Sequence, residues 1–165
     1  MARHRAGGGP GALLTVFSLT ARVGTSQAES VVMLVRMDLV RTIIMETSDS
    51  QVIVLKERDG ERQLPILIGM HEALAIDRRL KGLQTPRPMT HDLMESVIAS
   101  LGSELEQIVI SDLREHTFFA KLVIRQNGQL VEVDARPSDA VALGVANNTP
   151  IFVESSVLDE ASKAG

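Results

Sequence analysis

The chain has 165 residues, 44% of them hydrophobic, which is enough for one domain with a substantial core. Only 2% are aromatic, with no Tyr or Trp, so a base-stacking platform has little beyond Phe17, Phe118, Phe119 and Phe152 to use; the lack of Cys excludes disulfides and thiolate metal sites and suits a reducing, cytoplasmic compartment. The formal net charge is −4; because Arg3, Arg5 and Arg22 against Glu29 make residues 1–30 about +2, the rest carries about −6, and any contact with nucleic acid must be weak and local.

Residues 1–32 are rich in Gly, Ser, Thr and Ala, with one short apolar run from Ala12 to Leu19. Basic residues before that run imitate a secretory signal, but the run is short and its flanks are glycine-rich. The expectation is a disordered N-terminal extension, produced by an over-long translated start upstream of Met33, and a single domain over residues 33–160. No segment approaches the ~20 apolar residues of a membrane span, so no membrane association is expected.

From Leu34 the apolar pattern is dense. "LVRMDLVRTIIM" and "QVIVLKE" read as β-strands separated by the turn residues Thr47 to Ser50. Asp59-Gly60 predicts a tight hairpin turn into a third strand ending at Gly69. Leu74, Ile76 and Leu80, with alanines between them, predict a helix over 70–80, and Pro86 and Pro88 forbid its continuation. Leu93, Met94, Val97, Ile98 and Leu101 share a face of a second helix over 90–101. Three strands follow ("ELEQIVISDL", "TFFAKLVIR", "QLVEVDA"), the last two joined by a turn at Asn127-Gly128. A third helix over 137–146, a short strand "PIFVE" and a frayed terminal helix over 157–164 complete an α+β fold, a mixed or antiparallel sheet built from hairpins with about three helices. "LPILIGMHEALAI" and "VEVDARPSDAVAL" echo one another, with Glu72 in the place of Asp139. A duplicated β-β-α unit explains this, and so does the habit of amphipathic helices to follow strands.

Arg-Pro opens two of these helices, as "RPMTHD" from Arg87 and "RPSD" from Arg136. Proline, Thr90 and Ser138 suit a first helical turn without any function. Arg87, Arg136 and His91 do not, because a cation at a helix N-terminus opposes the macrodipole. Either carboxylates pair with them, or an anion binds where arginine and free backbone amides both reach it.

"LPILIG", "HEALAI", "PRPMTHDL", "ISDL", "TFFAKL", "VDARPSDAVAL" and "PIFVE", in that order and spacing from about Val35 to Leu158, resemble the bifunctional nuclease domain family of bacteria and plants. The resemblance implies a compact α+β domain that cleaves both DNA and RNA, with no settled catalytic set to carry over. Two positions depart from the family's habit: Phe119 stands where Tyr is frequent, and Leu67 where Trp is common.

Phosphodiester cleavage needs an activated water and compensation of the charge that builds on phosphorus. One available set is Glu72, Asp92, Asp112, Asp134 and Asp139, with His71 or His91, as ligands for Mg or Mn. The other is His91 or His71 as base, with Arg87 and Arg136 clamping the phosphate. The residues singled out are His91, Asp134, Arg136 and Asp139 for catalysis, Arg87 and Arg136 for phosphate, and Glu72, Asp92 and Asp139 for a divalent metal. The alternative is a non-catalytic regulatory module that holds a phosphate-bearing ligand or partner with the same groups. Replacing Asp139 by Asn is expected to cost activity and leave stability nearly unchanged. Association of copies through a sheet edge would give a homo-oligomer.

Overall fold

A computed structural model describes residues 32–164; the expected disordered extension lies, but for Val32, outside the described residues. Seven strands run as β1 (Leu34–Ile43), β2 (Ser50–Glu57), β3 (Gln63–Gly69), β4 (Ser103–Arg114), β5 (Thr117–Gln126), β6 (Gln129–Ala135) and β7 (Ile151–Glu154). The helices are α1 (Met70–Leu80), α2 (Thr90–Ser100), α3 (Pro137–Gly144) and α4 (Ser155–Ala164), with a 3-10 turn over Val145–Asn147 after α3. The strands form one sheet in the order β3-β2-β1-β7-β4-β5-β6. All neighbours are antiparallel except β4 and β7, so the sheet is mixed and the class is α+β.

The sheet has the same plan on both sides of β7. β1-β2-β3 and β4-β5-β6 are antiparallel meanders whose last strand lies at the sheet edge, and each is followed at once by a helix, α1 or α3. This shared topology is the structural side of the sequence echo, and it places Glu72 and Asp139 at equivalent points, the third residue of their helices.

Alternation along the strands decides which face is covered. Leu64, Ile66 and Ile68 of β3 are buried, while Gln63, Pro65 and Leu67 between them are exposed. The buried set joins Ile53, Leu55, Met37, Ile108, Ile110, Ala120, Leu122, Ile151 and Val153 in one core with Ala73 and Ile76 of α1, Ala140 to Leu143 of α3, and Val157 and Leu158 of α4. All the helices therefore pack on one face, and α2 reaches this core through Ile98. No helix among the described residues is long and apolar enough to cross a membrane.

The turns show where local chemistry sufficed. Asn127 and Gly128 have φ of 50° and 78°, the left-handed pair of the two-residue hairpin expected there. Asp59-Gly60 does not form such a turn. Neither residue has positive φ, and the strands are joined by Arg58 to Arg62, closed by the Glu57 N–H donating to the Arg62 carbonyl at 3.0 Å. The Arg62 guanidinium, bonded to Glu57 Oε1 at 2.6 and 2.8 Å, supports this wider loop and removes the need for a tight turn.

The larger difference is α2. Of its apolar residues only Ile98 turns to the core; Leu93, Met94, Val97 and Leu101 are exposed, and none of the helix's residues is buried.

Candidate active site

The site begins with three helix starts. α1, α2 and α3 each carry an acid at their third residue, Glu72, Asp92 and Asp139, where a carboxylate meets the positive end of the helix dipole and its free amides. The three residues proposed as metal ligands are thus the three acids that helix electrostatics would place there. Asp92 serves that local role directly, accepting the Met89 N–H at 3.0 Å.

Arg136 occupies the N-cap of α3 in extended geometry, immediately before Pro137. Its Nε donates to Asp139 Oδ2 at 2.6 Å and its Nη2 to Oδ1 at 3.0 Å, a two-point pairing, while Nη2 also lies 2.9 Å from Glu72 Oε1. Two carboxylates therefore cancel the cation that would otherwise oppose the helix dipole, which answers the question the "DARPSD" segment poses. His91, in the first turn of α2, brings its Nε2 to 3.3 Å from Asp139 Oδ1. Glu72, Arg136, Asp139 and His91 form one cluster contributed by three helices. Burial pushes the Asp139 carboxyl up, but hydrogen bonds from Arg136 and His91 outweigh it and hold the group below its ordinary value. Arg136 is pushed up by Asp139 and then by Glu72.

Behind this cluster lies a second one that the sequence reading missed. Arg79 is only 6% exposed. It pairs with Asp92, with Glu95 at 2.6 Å, and with the Leu143 carbonyl at 3.3 Å. Arg78 places one Nη2 2.8 Å from both Asp92 oxygens, and Asn147 donates to Glu95. Hydrogen bonds from Arg79 pull Glu95 below its ordinary value; for Asp92, burial raises the carboxyl but Arg78 and the Met89 amide outweigh it. A signal was present in the chain: Arg79 stands at the three-residue spacing of Ala73 and Ile76, a position on the apolar stripe of α1. An arginine there must find partners inside, and α2 supplies them.

The other candidates lie apart. The register pairs Asp134 with Lys121 and Ala135 with the core residue Ala120, so Asp134 points to the sheet face opposite the helices, away from His91 and Asp139. It does not join the catalytic group in which the sequence reading placed it. Asp112 accepts the Leu113 N–H and pairs with Arg114 at 2.8 Å. His71 is exposed on α1, and the exposed Arg87 makes no ion pair among the described residues.

This arrangement does not fit a divalent ion. Among the described residues no three His, Asp or Glu side chains converge as ligands. The Arg136 guanidinium already bridges Glu72 and Asp139, where a cation would have to sit, and Asp92 is turned to Arg78 and Arg79. The two-point pairing of Asp139 with Arg136 means that Asn at this position weakens structural bonds as well, which weighs against the expectation of nearly unchanged stability.

Residues 53–164 match the family described as the bifunctional nuclease domain. Two Mycobacterium tuberculosis proteins, both bearing the words "Uncharacterized protein", are 43% identical over 118 residues, 72% of this chain and 70% of theirs. Bifunctional nuclease 2 of rice is 27% identical over 69% of this chain and 36% of its own length, and Bifunctional nuclease 1 of Arabidopsis thaliana is 28% identical over 61% and 32%. This chain thus spans about a third of those plant proteins. The matched region contains both meander-helix halves' helices and every residue of the two charged clusters, and the chain belongs to the bifunctional nuclease domain family.

Proposed function

We propose that this protein hydrolyses phosphodiester bonds in RNA and DNA, with His91 as the proton-transferring group. The observation that carries the reading is the His91–Asp139–Arg136 arrangement at the joined N-termini of α1, α2 and α3, in a chain of this family.

The chemistry follows from the contacts. In the tautomer that carries its proton on Nε2, His91 donates to the Asp139 carboxylate, which orients the ring and leaves Nδ1 as a proton acceptor for an attacking water. Arg136 spends Nε and Nη2 on carboxylates; Nη1 is the edge of its guanidinium left to meet a phosphate oxygen. Arg87, two residues before the N-cap of α2, supplies a second, exposed cation for the neighbouring phosphate. No step runs through a metal. With so few cations, the slope of log affinity against log salt for a single strand is expected at about −2 to −4, using ~0.7 per phosphate contact.

A second reading has one observation in its favour. Two carboxylates against one arginine leave the cluster negative when His91 is neutral, which disfavours phosphate binding and suits a regulatory module in which these pairs fix the helices. Cleavage of labelled single-stranded RNA and of plasmid DNA, with and without EDTA, separates the two. On the nuclease reading His91→Ala lowers the rate by about a hundredfold or more, and EDTA has little effect. Equal rates for the wild-type and His91→Ala preparations would reject His91 and trace the activity to contamination.

A further inference from the structure

Among the described residues Arg79 is the only buried charged side chain, and its guanidinium touches every helix that builds the candidate site. It belongs to α1, pairs with Asp92 and, at 2.6 Å, with Glu95 of α2, and donates to the Leu143 carbonyl of α3 at 3.3 Å. Each of these contacts lies close along its helix to a site residue. Arg79 stands two turns after Glu72, Asp92 directly follows His91, and Leu143 is one turn after Asp139. Whatever fixes the one group in each helix fixes the other.

The arrangement constrains α2 in particular. Asp92 and Glu95 are one turn apart and both end on the same planar group, so the helix can neither roll nor slide without breaking one of the two bonds. The Leu143 carbonyl ties that group to α3 as well. The relative placing of α2 and α3 is what sets His91 Nε2 3.3 Å from Asp139 Oδ1. Apolar packing adds little to it, since no residue of α2 is buried. Stability alone does not call for an arginine at this position. A buried ion cluster is commonly no better for stability than an apolar side chain of similar volume, and this one leaves Arg79 Nε buried without a hydrogen-bond partner. What a forked donor supplies and a leucine cannot is direction.

We propose that Arg79 is the positioning residue of the candidate active site, a clamp that holds α2 and α3 at the separation at which His91 meets Asp139. It touches no substrate and acts through His91. The catalytic consequence rests on the nuclease reading above, the geometrical one does not, and the experiment reads the two separately.

Arg79→Gln keeps a polar side chain but cannot span the three partners, while Asp92 retains Arg78 and the Met89 amide, so the first turn of α2 stays formed. On labelled single-stranded RNA this variant should lose kcat by about ten- to a hundredfold, with KM within about twofold of the wild type because Arg79 meets no phosphate. Arg79→Lys keeps the charge without the fork and should recover part of the lost kcat. Leu158→Ala, a core truncation in α4, which gives no residue to the site, should lower Tm at least as far and leave kcat within about twofold. The readout that needs no activity is the proton on His91 Nε2, in the tautomer that donates to Asp139. Its nuclear magnetic resonance signal, assigned by its loss in His91→Gln, should survive exchange with water in the wild type, vanish in Arg79→Gln and return in part in Arg79→Lys.

A folded Arg79→Gln chain that keeps this signal overturns the proposal whatever its activity. So does one that keeps full kcat where His91→Ala has lost it, or a loss of kcat that Leu158→Ala matches at equal Tm. A rise in KM in place of a fall in kcat would make Arg79 a substrate contact and reject the clamp. If His91→Ala is as active as the wild type, the nuclease reading falls and the His91 signal alone decides the clamp; if Arg79→Gln does not fold, Arg79→Lys is read in the same two ways.

Discussion

α2 and α3 pack against each other, and they are built on opposite terms. In α3 every residue from Pro137 to Gly144 is buried except Asp139, and Gly144 is so tightly enclosed that an added Cβ would lie 2.5 Å from Ile108 Cδ1. In α2 no residue is buried, and the helix is held by Ile98 and by ion pairs to α1 and α3. One helix is fixed by shape and the other by charge. The difference teaches that the candidate active site rests between a rigid support and a helix that packs on polar contacts, so disturbances of the two should separate in stability measurements.

The largest separation should come from the same truncation made in each helix. Leu143→Ala removes a fully enclosed side chain from α3 and should cost about 2 to 5 kcal/mol, whereas Leu93→Ala on the outer face of α2 should change monomer stability by no more than about 0.5 kcal/mol. Urea unfolding of both at dilute concentration checks this. Similar losses would mean that α2 carries packing its exposure does not show.

Next comes the charged support of α2. Arg79→Leu keeps volume but leaves Asp92, Glu95 and the Leu143 carbonyl without their shared donor. A fully buried broken pair costs about 3 to 5 kcal/mol, and because Glu95 is 38% exposed in its side chain the loss here should be about 2 to 3 kcal/mol. Hydrogen exchange should show α2 losing protection before α3. Uniform loss across both helices would merge them into one cooperative unit.

The smallest effect is the response to acid. Asp92, Glu95 and Asp139 all have folded values held below their ordinary 3.8, 4.5 and 3.8. Such groups contribute stability above the unfolded value, and that contribution is lost as pH falls through the folded ones. Stability should therefore be level from neutrality down to about pH 5 and decline below about pH 4.5, starting in α2. Glu154 works the other way, since burial, with Asp112 and Glu132 nearby, raises it against the pull of Lys121; its contribution falls as pH rises and should partly flatten the acid limb. Thermal melts across this range decide the sign.

Much of this molecule was legible without coordinates. The strands, α1 and the left-handed Asn127-Gly128 turn follow from period-two alternation, helical spacing and local backbone preference, all of which act over a few residues. The crowding at "DARPSD" was visible as a problem of charge, because a cation at a helix start demands a partner wherever the chain goes. What only the tertiary structure decided was which partner, and which face. Glu72 reaches Arg136 from a helix more than sixty residues earlier in the chain, and Asp134, two residues before Arg136, points to the other side of the sheet because adjacent strand residues must. The stripe of α2 could be read at its true spacing but not in its true direction. Periodicity establishes that apolar residues share a side, and it says nothing about whether that side or the charged one meets the core. Arg79, buried in α1 and needing carboxylates, turned the charged side inward and left the leucines outside.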